Sequence, residues 1–233
     1  MTLPAPPSLE PAATVLAEPE WHRRRAEHRE RMLAFIEGHQ RRMAAGQKHP
    51  VYDFLFTYYQ YRCSHLLRWH PGLGVTLEGN SAEEYLAYPC YEKTAGGVTA
   101  SPHLWKPERR EGVAWILQVL EASATRPPFF GCYALHEWAM VYRTEQVRHA
   151  SLPLRFPPEK IAEIVESQTI CCSHFDAFRF FTPAARPLNR LQPDKTTMPL
   201  LEQRGCLHNN MDLYKWAYKL VPFVPSDLMA EAF

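Results

Sequence analysis

The chain is poor in glycine. It has 10 glycines against 21 prolines in 233 residues. It also lacks any G-x-G-x-x-G or Walker-type run, which excludes the glycine-rich loops that let backbone approach a nucleotide phosphate. Charge of one sign is equally scarce: 26 Lys and Arg stand against 25 Asp and Glu. No global field then draws the protein to nucleic acid, and any such contact must come from a local patch. No apolar run reaches the roughly 20 residues that a bilayer span requires. The N-terminus, MTLPAPPSLEPAATVLAEPE, lacks the basic start and apolar stretch of a secretory signal. These features read as a cytoplasmic protein whose six cysteines are mostly reduced.

What is present is ordinary for a water-soluble globular chain: 46% hydrophobic and 22% charged residues, enough for one substantial core. The expected fold is mostly α, a single helical domain over 20–233 with long Pro-rich ordered loops. A disordered leader is expected over 1–19, where Pro4, Pro6, Pro7, Pro11 and Pro19 interrupt any periodicity. A long charged helix should start at Glu20, and Pro50 should open a second, aromatic one closed by Pro71-Gly72. Residues 72–110 look irregular, with Ser81 and Glu84 spaced as a capping box and GVTLEG able to supply only a short strand. Further helices are expected at REGVAWILQVLEASA, at the apolar stretch 129–143, after Pro157-Pro158, and after Gly205. Ser226 is spaced to cap a last helix, which stops almost as soon as it starts, the pattern of a shortened chain.

The basic stretch from Trp21 to Lys48 admits two readings. One is a phosphate-tracking helix. The favoured one is a solvated face, because Glu20, Glu27, Glu30 and Glu37 are interleaved and can pair along it.

Chemistry concentrates where histidines meet carboxylates or thiols. His49 and Asp53, and likewise His208 and Asp212, are four apart, so on a helix each pair shares a face. Histidine and carboxylate from several helices form a familiar metal site in bundles. His136-Glu137 suits shared ligation less, since neighbours on a helix face different ways, yet either would be unusual buried in so apolar a segment. Cys172-x-His174 and Cys206-x-His208 could build a tetrahedral zinc site if extended. The metal-ligand pool is therefore His49, Asp53, His136 and Glu137 with His174 and His208, and the ion iron or zinc. The bland alternative for each cluster is a capped turn, with Ser173 and Asp176 at one helix start and Asn209 and Asn210 at another. Aromatics bracket the clusters. Most should be core, but Tyr52, Trp138, Phe178 and Tyr214 could also line a pocket for a planar base. Arg179, placed among phenylalanines, needs a carboxylate or a bound anion.

Three stretches, HPVYDFLFTYYQYR at 49–62, SHFDAFRFFTPAARPLNRLQP at 173–193 and GCLHNNMDLYKWAYKL at 205–220, resemble a bacterial family common in actinobacteria and catalogued as 3-methyladenine DNA glycosylases. The resemblance implies hydrolysis of an N-glycosidic bond, with DNA or a nucleobase-like small molecule as partner. It implies a flipped base held between rings and an oxocarbenium-like transition state. A carboxylate would stabilise that charge or activate water, with Asp176 first and Asp212 and Asp53 behind it. His174 and His208 would orient it or shuttle the proton. Beside this stand two further readings: a metal-dependent enzyme acting on a small molecule, and a non-enzymatic helical binding protein using the basic helix.

Overall fold

The computed structural model describes residues 14–147 and 153–233. It is mostly helical, with one small sheet. Where the sequence suggests one domain, the chain clusters into two compact units: residues 1–110 with 214–233, and residues 111–213.

The first unit opens on β1 (Thr14–Leu16), then α1 (Glu18–Ala44), α2 (Phe54–Tyr58), α3 (Cys63–Leu66), β2 (Val75–Leu77), β3 (Tyr91–Thr94) and β4 (Gly97–Ala100). The sheet has the order β1-β2-β4-β3, parallel only between β1 and β2. The N-terminal expectation is corrected in part: residues 14–16 are a paired strand and the helix begins at Glu18, while residues 1–13 lie outside the described residues. The long α1 forms because Trp21, His28, Met32, Ile36 and His39 recur at helical spacing and are all buried. Its charged side pairs along itself, Arg23 and Arg24 with Glu20 and Arg23 with Glu27, so the solvated-face reading fits this stretch.

Three expectations fail in this unit. The second helix is not continuous: residues 50–53 are turns and α2 and α3 are single short turns of helix. Gln60 between them takes a positive φ of 54°, which interrupts helical geometry. Ser81 does not form a capping box. Its hydroxyl meets Glu18 and His22 of α1, and Glu84 pairs with Arg25. Residues 72–110 are not irregular throughout, since they supply β2, β3 and β4 and a 3-10 helix at Asn80–Ala87.

α4 (Pro107–Thr125) leads into the second unit, which holds α5 (Leu135–Ala139), α6 (Pro158–Ser167), α7 (Phe175–Phe178), α8 (Met198–Leu201) and the first half of α9 (Leu207–Leu220). Its core gathers Leu135, Ala139, Tyr142, Ile161, Val165, Ile170, Ala177, Phe178 and Phe181. The apolar stretch 129–143 is not one buried helix. Tyr133 and Ala134 adopt φ values of 46° and 57°, a left-handed geometry that ends helix and leaves only α5. The chain closes in the first unit with α10 (Ser226–Ala232). Ser226 is not its cap. The Ser226 hydroxyl instead accepts from the His70 backbone N–H and donates to the Arg68 carbonyl.

Candidate metal centre

The second unit brings six of the singled-out residues together, His136, Glu137, His174, Asp176, His208 and Asp212, in two adjoining sets. His174 stands at the N-cap of α7, its carbonyl accepting from Phe178 N–H at 3.0 Å. The strand-like approach to it is clamped by Asn189. The Asn189 side chain accepts from Cys172 N–H at 2.7 Å and donates to the Cys172 carbonyl at 2.9 Å. His208 and Asp212 lie on α9, four apart, and so share a face. The start of α9 is fixed by Gln203. The Gln203 amide oxygen accepts from Phe129 and Gly205 N–H groups at 2.8 and 2.7 Å. A Cβ on Gly205 would stand 2.8 Å from that oxygen and 3.0 Å from Phe129 backbone atoms, so glycine is required there by close approach.

His174 is the centre of the arrangement. It is fully buried; its Nδ1 donates to Glu202 Oε2 at 2.8 Å, and its Nε2 lies 3.6 Å from Asp212 Oδ2. Glu202 and Asp212 side chains are each only 1% exposed. The second Glu202 oxygen accepts from Phe175 N–H at 3.4 Å. His174 Nε2 is buried and has no hydrogen-bond partner. At 3.6 Å the contact with Asp212 is longer than an N–H···O bond of about 2.7–3.2 Å. His174, Asp176 and Asp212 each present a ligand-type atom, all within 4.8 Å of one another.

A second set adjoins the first. His136, Glu137 and His208 likewise present ligand atoms within 4.8 Å of each other. His136 Nε2 lies 3.2 Å and His208 Nε2 3.5 Å from Glu137 Oε1. The His208 ring stacks near His174 with centroids 5.5 Å apart, and meets His136 edge-on at 4.6 Å. The expectation that His136 and Glu137 point apart is therefore corrected. They occupy the first turn of the five-residue α5, directly after the left-handed pair Tyr133-Ala134, and the Glu137 side chain, 56% exposed, folds back to its neighbour.

Behind His136 lie thiols. Cys132 Sγ is 2.9 Å from His136 Nδ1 and is also hydrogen-bonded to Cys172. Hydrogen bonds from Cys172 first, and then His136, hold the Cys132 thiol down at about 4, whereas Cys172 is pushed up by that bond and by burial. His136 is buried, which disfavours its charge, but the bonds to Cys132 and Glu137 outweigh this and raise it to about 9. Burial and the neighbouring His136 and His174 push His208 down to about 4.

Several sequence-derived assignments are corrected. The zinc site from paired Cys-x-His does not form: Cys172 bonds Cys132 and the His174 carbonyl, His174 turns to Glu202, and His208 is helical rather than extended. His49 and Asp53 belong to the first unit and are already engaged. Asp53 accepts from His39, Arg42 and the His49 N–H, while the His49 ring accepts from Val51 and Tyr52 N–H groups. Phe178 and Tyr214 are buried core rings, in two separate clusters. Trp138 stacks on Phe156, and the exposed Tyr52 lies against His49. Arg179 is exposed, and the carboxylate it needs is Asp176, 3.2 Å away. Sequence reasoning missed Glu202, which has no local spacing signal, and Cys132, whose position four residues before His136 is the one signal that could have found it. No family model, curated protein or solved structure matches this chain.

Proposed function

We propose that the chain is a metal-dependent enzyme, with a divalent iron or zinc ion held by His174, Asp176 and Asp212. One observation carries this reading: the buried Nε2 of His174 has no hydrogen-bond partner, while its Nδ1 is tied to a buried carboxylate. Ligating histidines characteristically donate their other ring nitrogen to a carboxylate, which fixes the tautomer and raises ligand basicity. Atoms within 4.8 Å of each other need close in only slightly to stand about 2.0–2.2 Å from one ion, a geometry that sets ligand atoms at most about 4.4 Å apart. Imidazole and carboxylate donors without sulfur suit zinc or iron. A bound ion of this kind supplies a water of lowered pKa as nucleophile.

The chain's own groups divide the work. Glu202 orients His174. Asp212 supplies a buried carboxyl oxygen. Asp176, 18% exposed and paired with Arg179, is the most solvent-accessible of the three ligands. The resemblance to proteins catalogued as 3-methyladenine DNA glycosylases makes an alkylated purine nucleoside, free or in DNA, the first substrate to try.

Two measurements test this. Elemental analysis of protein purified without a histidine tag should find a transition metal, lost in Asp212→Asn. Less than about a tenth of an equivalent, with no gain on reconstitution, removes the reading. Incubation with alkylated DNA should release free base, and release that persists after chelation would assign the activity to the carboxylates alone.

A further inference from the structure

We infer that the centre holds a second divalent ion, bound by His136, Glu137 and His208 beside the first. This rests on the metal reading of His174, Asp176 and Asp212, and it predicts a pair of ions rather than one.

Two histidines of the centre are held in the same way. His174 donates Nδ1 to Glu202 at 2.8 Å, and His136 places Nδ1 2.9 Å from Cys132 Sγ. In each case a group able to carry negative charge occupies Nδ1 and leaves Nε2 directed at a carboxylate: Asp212 at 3.6 Å for His174, Glu137 at 3.2 Å for His136. A histidine anchored through one nitrogen is the usual arrangement of a ligand that uses the other.

The third member is open at both nitrogens. His208 Nε2 lies 3.5 Å from Glu137 and its Nδ1 is buried without a hydrogen-bond partner. His208 Nε2, the nitrogen 3.5 Å from Glu137 Oε1, is the one that an ion beside that carboxylate would meet. Two imidazoles, from His136 and His208, together with one carboxylate form a donor set found in many iron and zinc sites with open positions.

Backbone strain points the same way. Tyr133 and Ala134 hold consecutive left-handed geometry, costly for residues with a Cβ. That turn lets Cys132 reach back to His136 and sets Glu137 beside it. The two sets abut through the His174 and His208 rings, 5.5 Å apart and 20° from parallel.

Titration of the metal-free protein with Mn2+ tests this, with equilibrium binding and electron paramagnetic resonance as readouts. Two equivalents should bind, with an exchange-coupled signal. Glu137→Gln, a change at a half-exposed side chain, should reduce them to one, and Asp212→Asn should remove the other. A single equivalent that survives Glu137→Gln and disappears in Asp212→Asn overturns the second ion while leaving the first reading intact. No binding overturns both. Substitution with Co2+ guards against a third arrangement. Cys132, His136 and Cys172 also lie within reach of one ion, and a thiolate-to-cobalt charge-transfer band would assign the second ion to the sulfurs and overturn the inference.

Discussion

His174 and Glu202 form a buried pair, Nδ1 to Oε2 at 2.8 Å, 28 residues apart in sequence and each with 1% of its side chain exposed. The pair fixes which imidazole nitrogen faces Asp212. It also joins the N-cap of α7 to the residue that closes α8, so the same bond serves both the fold and the centre.

Glu202→Gln keeps the shape and exchanges the carboxyl group for an amide. Metal affinity should fall by about 10–100-fold, with a stability loss of about 1–3 kcal/mol. Competition with a chromogenic chelator measures the first and urea unfolding the second. Unchanged affinity in the folded variant would show that Glu202 does not set the basicity of His174.

How much of this is legible in the sequence follows from distance along the chain. His208 and Asp212 can be paired because a helix repeats every 3.6 residues, and α9 does run through both. His174 is visible as a polar residue beside an aromatic run. Glu202 is not, because nothing in PLLEQRG is periodic and its partner arrives only by tertiary folding. Cys132 precedes His136 by four residues, yet the contact arises from a left-handed turn rather than the helical spacing that would suggest it. Of the small sheet only β2, inside GVTLEG, is anticipated in the sequence; the other strands, of three and four residues, show too little alternation. The aromatic stretch 50–70 reads as one helix but is not one: Tyr59 packs on Tyr58 and Tyr61, Tyr59 and Tyr61 both pack on Tyr214, and Gln60 takes the turn that allows it.

Gly205→Ala should loosen the start of α9. The new methyl would stand 2.8 Å from the Gln203 amide oxygen, which is already fixed by two N–H donors. Overpacking of this kind costs about 1–3 kcal/mol, and His208 and Asp212 move with the helix they ride on. A thermal melt checks the cost. A melting temperature equal to wild type would show that Gln203 yields freely.

Cys132 should be the most reactive of the perturbed thiols. Its neighbours Cys172 and His136 hold it at about 4, whereas Cys206 is pushed up to about 11 by burial and Cys63 and Cys171 are also raised by burial. At pH 6 an ordinary thiol of pKa about 8.5 is almost wholly protonated. Brief treatment with iodoacetamide at that pH, read by peptide mass spectrometry, should therefore label Cys132 ahead of Cys63, Cys171, Cys172 and Cys206. Labelling of Cys206 first would contradict the hydrogen-bonded cluster. His136→Asn should slow the Cys132 reaction by removing one of its two stabilising partners.

His70 should make stability fall in mild acid. It is 5% exposed, with Nδ1 3.0 Å from the Tyr91 hydroxyl, and burial pushes it down to about 4. The unfolded chain binds the proton with an ordinary pKa of about 6.5. Since the folded value lies below the unfolded one, the unfolded state gains protons first as pH falls. The contribution is then complete above about pH 6.5 and is lost progressively toward pH 4. Its size is on the order of 3 kcal/mol. His28, His65 and His208 are lowered by burial in the same sense, while His136 is raised and acts oppositely. Urea midpoints at about pH 7.5, 6 and 4.5 should therefore decline, and more shallowly in His70→Gln, which carries no titrating group at this position. Parallel declines in the two proteins would mean that His70 keeps its ordinary pKa in the folded state.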